Sequence, residues 1–283
     1  MQKIAYLILV LLWSTTPLAI NWSVQGVPYS AALASRFGLA AALALLLLII
    51  CKQKIPASSW PASACAGIAT SLAMLCVYWA SQSVSSGLVA VLFGLIPLAT
   101  AGFSWLWLGL KLRRFEVLAM VIGISGLLII FAEKLNSAGV SGVAVVLLAV
   151  LMQAAAAVKL KKLAAGQSPL AVNAGALSIA TVVLSAVCIW QTDVTNLTFP
   201  KQSLAAIGYL AVFGSVLGFS LYYWLIRECK PITVSLISLI TPTTALWMGY
   251  SLNGEEVSGS LIWGTACILL GLAVHLLAQR GRG

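Results

Sequence analysis

The chain has 283 residues, of which 61% are hydrophobic and 8% charged, with a mean hydropathy of +1.06. An ordinary soluble domain is about 45–50% apolar and about 25% charged, so a water-solvated fold and a disordered one are both excluded. The net charge of +10 would suit nucleic acid only as one basic face on a soluble fold. Instead the sixteen Lys and Arg stand in small groups between apolar runs, the pattern of a polytopic membrane protein with no nucleic-acid partner.

A hydropathy window of about 19 residues picks out ten spans. In chain order they are 4–21, 29–50, 62–81, 87–109, 115–132, 140–158, 169–190, 203–226, 232–252 and 258–278. Only Ser81, Gln82, Ser83, Ser85 and Ser86 divide the third from the fourth. With the N-terminus in the cytoplasm, thirteen basic residues fall on inner segments: Lys3, Lys52, Lys54, Lys111, Arg113, Arg114, Lys159, Lys161, Lys162, Arg227, Lys230, Arg280 and Arg282. Two, Lys134 and Lys201, fall outside, and Arg36 lies within a span. Cytoplasmic loops carry the basic excess, so both termini are expected in the cytoplasm. The first run could pass for a signal peptide, but its cleavage would reverse the charge pattern of everything after it, so it is read as an uncleaved helix. The Cys at 51, 65, 76, 188, 229 and 267 show no CxxC or Cys/His spacing. No disulfide framework, metal site or cofactor is indicated.

The sequence matches itself at an offset of 145 residues. Tyr78-Trp79 aligns with Tyr223-Trp224, Val89 with Val234, Pro97 with Pro242, Gly109 with Gly254, and Gly126-Leu127 with Gly271-Leu272. A repeat of five spans is odd in number, so its copies must point in opposite directions. That is the inverted repeat of many secondary transporters, with the solute site near the midplane.

Leu-Leu-Trp-Ser at 11–14, Arg36-Phe37, Gly-Leu-Ile-Pro at 94–97 and Gly-Ile-Ser-Gly-Leu-Leu-Ile at 123–129 carry a resemblance in the first half. Tyr-Leu-Ala-Val-Phe-Gly-Ser at 209–215, Leu-Ile-Thr-Pro at 239–242, Asn-Gly-Glu-Glu at 253–256 and the Gly271 helix carry it in the second. Together they resemble the ten-helix, EamA-type branch of the drug/metabolite transporter superfamily. The resemblance implies an all-α membrane protein with ten transmembrane helices, in two inverted five-helix repeats (1–135 and 136–283) around a central cavity. It also implies an inner-membrane, alternating-access transporter that exports amino acids or related metabolites. One departure stands out: the Gly-Glu expected after the fourth helix of each half is present as Gly254-Glu255 but replaced by Gly109-Leu110 in the first.

Few residues are chemically able to form a site. Pro97 and Pro242 each remove a helix hydrogen bond and free a carbonyl, which in lipid needs a protein or wet surround. They can line a cavity as paired hinges or serve as packing kinks. Arg36 is the only fixed charge well inside a span. Such a cation usually faces the bundle interior; here it can snorkel outward, hold backbone carbonyls structurally, or take a carboxylate through its planar fork. Trp13 and Thr16 belong to a polar string (Trp13, Ser14, Thr15, Thr16, Pro17, Asn21) in the outer part of the first span, read either as a cavity wall or as core packing with hydroxyls bonded back to their own helix, whereas Trp22, Trp60, Trp105, Trp107 and Trp190 fit an interfacial belt. Tyr78-Trp79 and Tyr223-Trp224 are read either as gates, one on each side, or as matched parts of that belt. Ser238 and Thr241 flank Pro242 on one helical face; Gln82, Gln153, Asn173, Ser215, Thr243 and Thr244 are further candidates. His275, near the end of a span, is read as structural.

No Asp or Glu lies deep in a span, which argues against a cation/proton antiporter of the multidrug type. An intramembrane enzyme would need convergent acid/base or metal-ligating groups that this chain does not supply, so no enzymatic activity is expected. A multidrug or organic-cation efflux transporter and a non-transporting scaffold subunit are the competing readings. The expected partners are a small-molecule solute and the lipid bilayer, with monomer and homodimer both open. The topology is directly testable: a green fluorescent protein fused after Gly283 is expected to fluoresce, and a cysteine at Lys201 to react with an impermeant thiol reagent from outside. The opposite sidedness at both positions would contradict the charge distribution.

Overall fold

The computed structural model describes residues 2–109, 114–134, 139–221, 225 and 237–280, and all regular structure among them is helical. In chain order the elements are α1 (Gln2–Ser23), α2 (Tyr29–Ile50), α3 (Trp60–Ala80), α4 (Ser86–Phe93), α5 (Ile96–Leu108), α6 (Arg114–Lys134), α7 (Gly139–Leu163), α8 (Pro169–Gln191), α9 (Lys201–Tyr209), a π-wound continuation over Leu210–Leu217, α10 (Ile237–Asn253) and α11 (Gly259–Arg280). Nine helices among the described residues are long and apolar enough to cross a membrane, taking α4–α5 and α9 with its π-wound continuation as one span each. α10 is 17 residues long and covers the later part of the expected 232–252 span, whose beginning lies outside the described residues. The Ser-rich stretch after Ala80 does separate two spans. α7 runs further than the expected 140–158, carrying Lys159, Lys161 and Lys162 on its last turns. Long cationic side chains can leave an apolar helix end by snorkelling, and Lys159 Nζ sits 5.3 Å from the centre of the Trp107 ring.

Local chemistry explains the punctuation. Proline occupies the first turn of α3, α5 and α8, where its missing N–H is not needed. Gly109 and Gly254 follow α5 and α10 with φ of 63° and 62°, a left-handed conformation that lacks steric cost only for glycine. These two glycines are 145 residues apart. The fourth span is interrupted by a tight turn at Gly94 and Leu95, both of which keep right-handed helical φ and ψ. Pro97 cannot donate to the Phe93 carbonyl, and the chain turns through Gly94 and Leu95 before helix resumes at Ile96. Pro242, by contrast, stays inside an unbroken α10.

The helices pack α2 on α8, α3 on α7 and α8, α1 on α9 and α10, α4 on α10, α5 on α7, and α6 on α11. With the packing of α2 on α9 and its π-wound continuation added, exchanging spans across the 145-residue offset maps these largest pairings onto one another. The seam between α6 and α11 is the closest. A Cβ added to Gly126 would lie 2.5 Å from the Gly264 carbonyl oxygen, and one on Gly271 would lie 2.7 Å from that of Ala119. Residues ascending one helix meet residues descending the other, so the two run antiparallel. Without a hydrophobic drive between helices in lipid, such small-residue contacts supply van der Waals packing. Gly126→Val is expected to destabilise the protein by about 1–3 kcal/mol, read as a lower Tm in detergent. Gly208→Ala, where an added Cβ meets nothing within 4 Å, is the matched control. Equal melting of both variants and the parent would contradict a close-packed seam.

Candidate functional site

Arg36 lies in the third turn of α2, about 10 Å along the helix from its Tyr29 end, and is 4% exposed. Its Nε donates to Ser215 Oγ and its Nη1 to the Tyr78 hydroxyl, each at 3.3 Å. The guanidinium carbon stands 5.4 Å from the Phe37 ring centre and 6.0 Å from that of Tyr78, within cation–π range. Nη2 lies 3.6 Å from where a Gly214 Cβ would stand, with Thr16 Oγ1 3.7 Å from the same point. Among the described residues the cation has no carboxylate partner; hydroxyls and rings replace its water. Tyr78 and Ser215 are themselves fully buried. Ser215 and Gly214 belong to the π-wound stretch, a winding that recurs at functional sites because it re-aims side chains within a helix.

The structure therefore brings Thr16, Arg36 and Tyr78 together, from α1, α2 and α3. α1 sits between this cluster and a second one. Thr16 and Trp13 face the eighth span: Trp13 meets Phe219 edge-on at 6.3 Å, and its Nε1 is 3.2 Å from the point a Gly218 Cβ would occupy. Thr15 bonds the Tyr209 hydroxyl at 2.5 Å. Ser14, some 200° away from Thr16 around the helix, meets the Thr244 hydroxyl of α10. Beyond it, Pro242 is buried against the turn in the fourth span, its Cγ 3.3 Å from where a Gly94 Cβ would stand. Pro97 opens α5 just past this turn and is half-buried. Thr241 is half-buried, and its carbonyl accepts from Thr244 Oγ1 at 3.1 Å. Thr16 and Ser14 also bond back to their own helix, at Leu12 and Val10.

Tyr78 and Trp79 part company. Successive helix residues point about 100° apart; Tyr78 turns inward to Arg36 while Trp79 is 40% exposed on the flank of α3. Tyr223 and Trp224 lie outside the described residues, as does the side chain of Ser238. Of the further candidates, Ser215 joins the site. Asn173 is buried with an unbonded Nδ2 beside a cavity of about 30 Å³, lined also by Phe37, Thr70 and Phe219, room for about one water. A larger cavity of about 410 Å³ opens at the Tyr29 end of α2, among Ser30, Gln82, Gln191 and Thr192.

Two features were not assigned from sequence. Glu116, placed at a helix edge by hydropathy, is 2% exposed in the first turn of α6, where a carboxylate complements the helix dipole. Trp22, which fits the belt by sequence, donates from Nε1 to Asn253 Oδ1 at 3.0 Å and so ties α1 to α10. Asn253 in turn donates to Glu255 at 3.1 Å. The Asn-Gly-Glu-Glu motif was visible in the sequence, but nothing in it named the helix that the Glu would reach.

Apolar spans around a buried cation, with a π-wound helix beside it, mark a multi-pass membrane protein. The chain belongs to the EamA-like transporter family, whose pattern matches residues 3–132 and again 140–277. Over 199 residues it is 28% identical to the uncharacterized inner membrane transporter YedA of Escherichia coli (strain K12), an alignment that covers 67% of this chain and 64%, just under two thirds, of that relative. It is 25% identical over 285 residues to protein PagO of Salmonella typhimurium, covering 98% of this chain and 93% of PagO. A solved structure described as "Crystal structure of protein" superposes with a TM-score of 0.71 at 18% identity, covering 99% of this chain and 98% of its own; that likeness is one of fold alone.

Proposed function

We propose that this protein is an alternating-access transporter of the inner membrane that exports amino acids or related small carboxylate metabolites. In this reading two inverted five-helix halves flank the solute path, and both termini are cytoplasmic. The observation that carries it is Arg36. A buried cation whose described partners are all neutral creates a positive field that a solute carboxylate can neutralise. Hydrogen bonds to a charged group contribute about 1.5–3 kcal/mol each, so a carboxylate meeting the Nη2 edge of the fork beside Thr16 and Gly214 binds selectively. Phe37, Tyr78 and Trp13 offer apolar surface for the remainder of the solute. The same field repels organic cations, so no observation favours the multidrug alternative.

Support for the inverted halves comes from three independent features. The family pattern matches twice. Gly109 and Gly254 share one left-handed turn. The largest helix pairings map onto one another when the halves are exchanged. In this reading Pro97 and Pro242 act as paired hinges, the first just past the turn at Gly94 and Leu95 and the second inside α10. This adds a movable element beside the rigid α6–α11 seam.

Counterflow in proteoliposomes tests the reading, with neutral amino acids, their methyl esters, organic anions and cationic dyes as solutes. Free carboxylates are expected to exchange, whereas esters and dyes are not. Arg36→Gln is expected to lower carboxylate exchange by about tenfold to a hundredfold, in protein that still elutes as one species. Dye transport that survives Arg36→Gln, with no amino-acid exchange in the parent, would overturn the assignment.

A further inference from the structure

The end of the bundle that carries Ser23, Ser86 and Asn253 is fastened by one carboxylate. Glu255 Oε1 accepts from Ser86 N–H at 3.0 Å and from Asn253 Nδ2 at 3.1 Å, with Asn21 Nδ2 at 3.5 Å. Oε2 accepts from Gly87 N–H at 3.1 Å. Its own N–H donates to the Gly249 carbonyl at 3.1 Å, within the left-handed turn at Gly254. A side chain on the loop after α10 thus reaches both the first turn of α4 and the last turn of α1. The N–H groups at the start of α4 are donors that their own helix cannot satisfy, and they carry partial positive charge.

The surroundings are shaped for this contact. A Cβ on Gly249 would collide with the carboxylate, and one on Gly87 would lie 3.0 Å from the Leu246 Cα. Trp22 holds Asn253 in position from α1. Nine residues deeper along α10, about 13 Å, is Thr244, which meets Ser14. The position 145 residues before Glu255 is Leu110, after a glycine with the same turn. At the position that the 145-residue offset pairs with Glu255, the sequence carries an apolar side chain instead of a carboxylate.

We propose that Glu255 is a positioning residue for transport: the latch that holds α1, α4 and α10 together at this end and releases them whenever the solute path opens there. This rests on the alternating-access reading above, in which this end faces outward. A latch on the outer side favours outward closure, the state from which an exporter loads solute in the cytoplasm. Gln at 255 cannot replace it, because its amide can present an oxygen to only one of the two N–H groups of α4.

The test uses a variant with Cys51, Cys65, Cys76, Cys188, Cys229 and Cys267 replaced and a reporter cysteine at Thr244, labelled by an impermeant thiol reagent from each side of oriented vesicles. Glu255→Gln is expected to raise the labelling rate from the Glu255 side roughly tenfold and to lower it from the other side. Asn253→Ala, which removes one arm, is expected to give a smaller rise from the same side, and Glu255→Asp an intermediate one. A rate in Glu255→Gln that is unchanged, or raised equally from both sides, would overturn the latch; the equal rise is what general loosening produces. The assay uses no solute, so it fails with the latch alone, whereas the transport reading fails separately in counterflow. Should Glu255→Gln not assemble, the sidedness in Asn253→Ala decides the matter.

Discussion

A guanidinium enclosed by membrane helices must be solvated by something, and here hydroxyls and aromatic rings do it. An Arg near the centre of a span costs about 2.5–3.5 kcal/mol on insertion scales, so its surroundings are constrained first and the rest follows. Ser215 and Tyr78 take its Nε and Nη1, Phe37 and Tyr78 present their faces, and Nη2 lies beside the bare backbone of Gly214. Each of these groups comes from a different helix or lies next to Arg36 itself. The cation therefore draws α2, α3 and the eighth span together, with α1 closing the side through Thr16.

The second constraint is the backbone itself. In lipid, irregular chain is tolerated only where protein or water satisfies it. The turn at Gly94 and Leu95 is covered by Pro242, and the π-wound Leu210–Leu217 faces α1 and α2. The π-wound stretch therefore sits against α1 and α2, and the Gly94–Leu95 turn against α10 and the α6–α11 pair. The α6–α11 seam is the opposite of both, regular helices locked by glycine contacts that leave no slack for sliding. A rigid seam on one flank and deformable elements at the core form a scaffold with a defined place to move.

Much of this was legible in the sequence because membrane helices contain so few polar groups. Arg36, Thr16, Trp13 and Ser215 stood out against an apolar background, and the structure gathers them around the eighth span. Span positions followed from hydropathy, while the helix ends did not: α7 continues through three lysines because their stems are as apolar as the lipid. The Tyr78-Trp79 pair looked like one unit but is two, since the neighbours that turn Tyr78 inward come from α2 and not from its own helix. The repeated prolines were visible, yet only tertiary contact puts Pro242 over the turn beside Pro97. Least legible was the reach of Glu255 to Ser86 and Gly87, because hydrogen bonds between residues so far apart in the chain leave no local pattern.

The central claim is that Arg36 selects a carboxylate and is more than a structural prop. Equilibrium binding of an amino acid and of its primary amide to purified parent and Arg36→Gln protein tests it most directly. The account predicts that the parent prefers the acid by about tenfold or more, and that Arg36→Gln binds acid and amide alike with little change in Tm. A preference for the acid that persists undiminished in Arg36→Gln would contradict it.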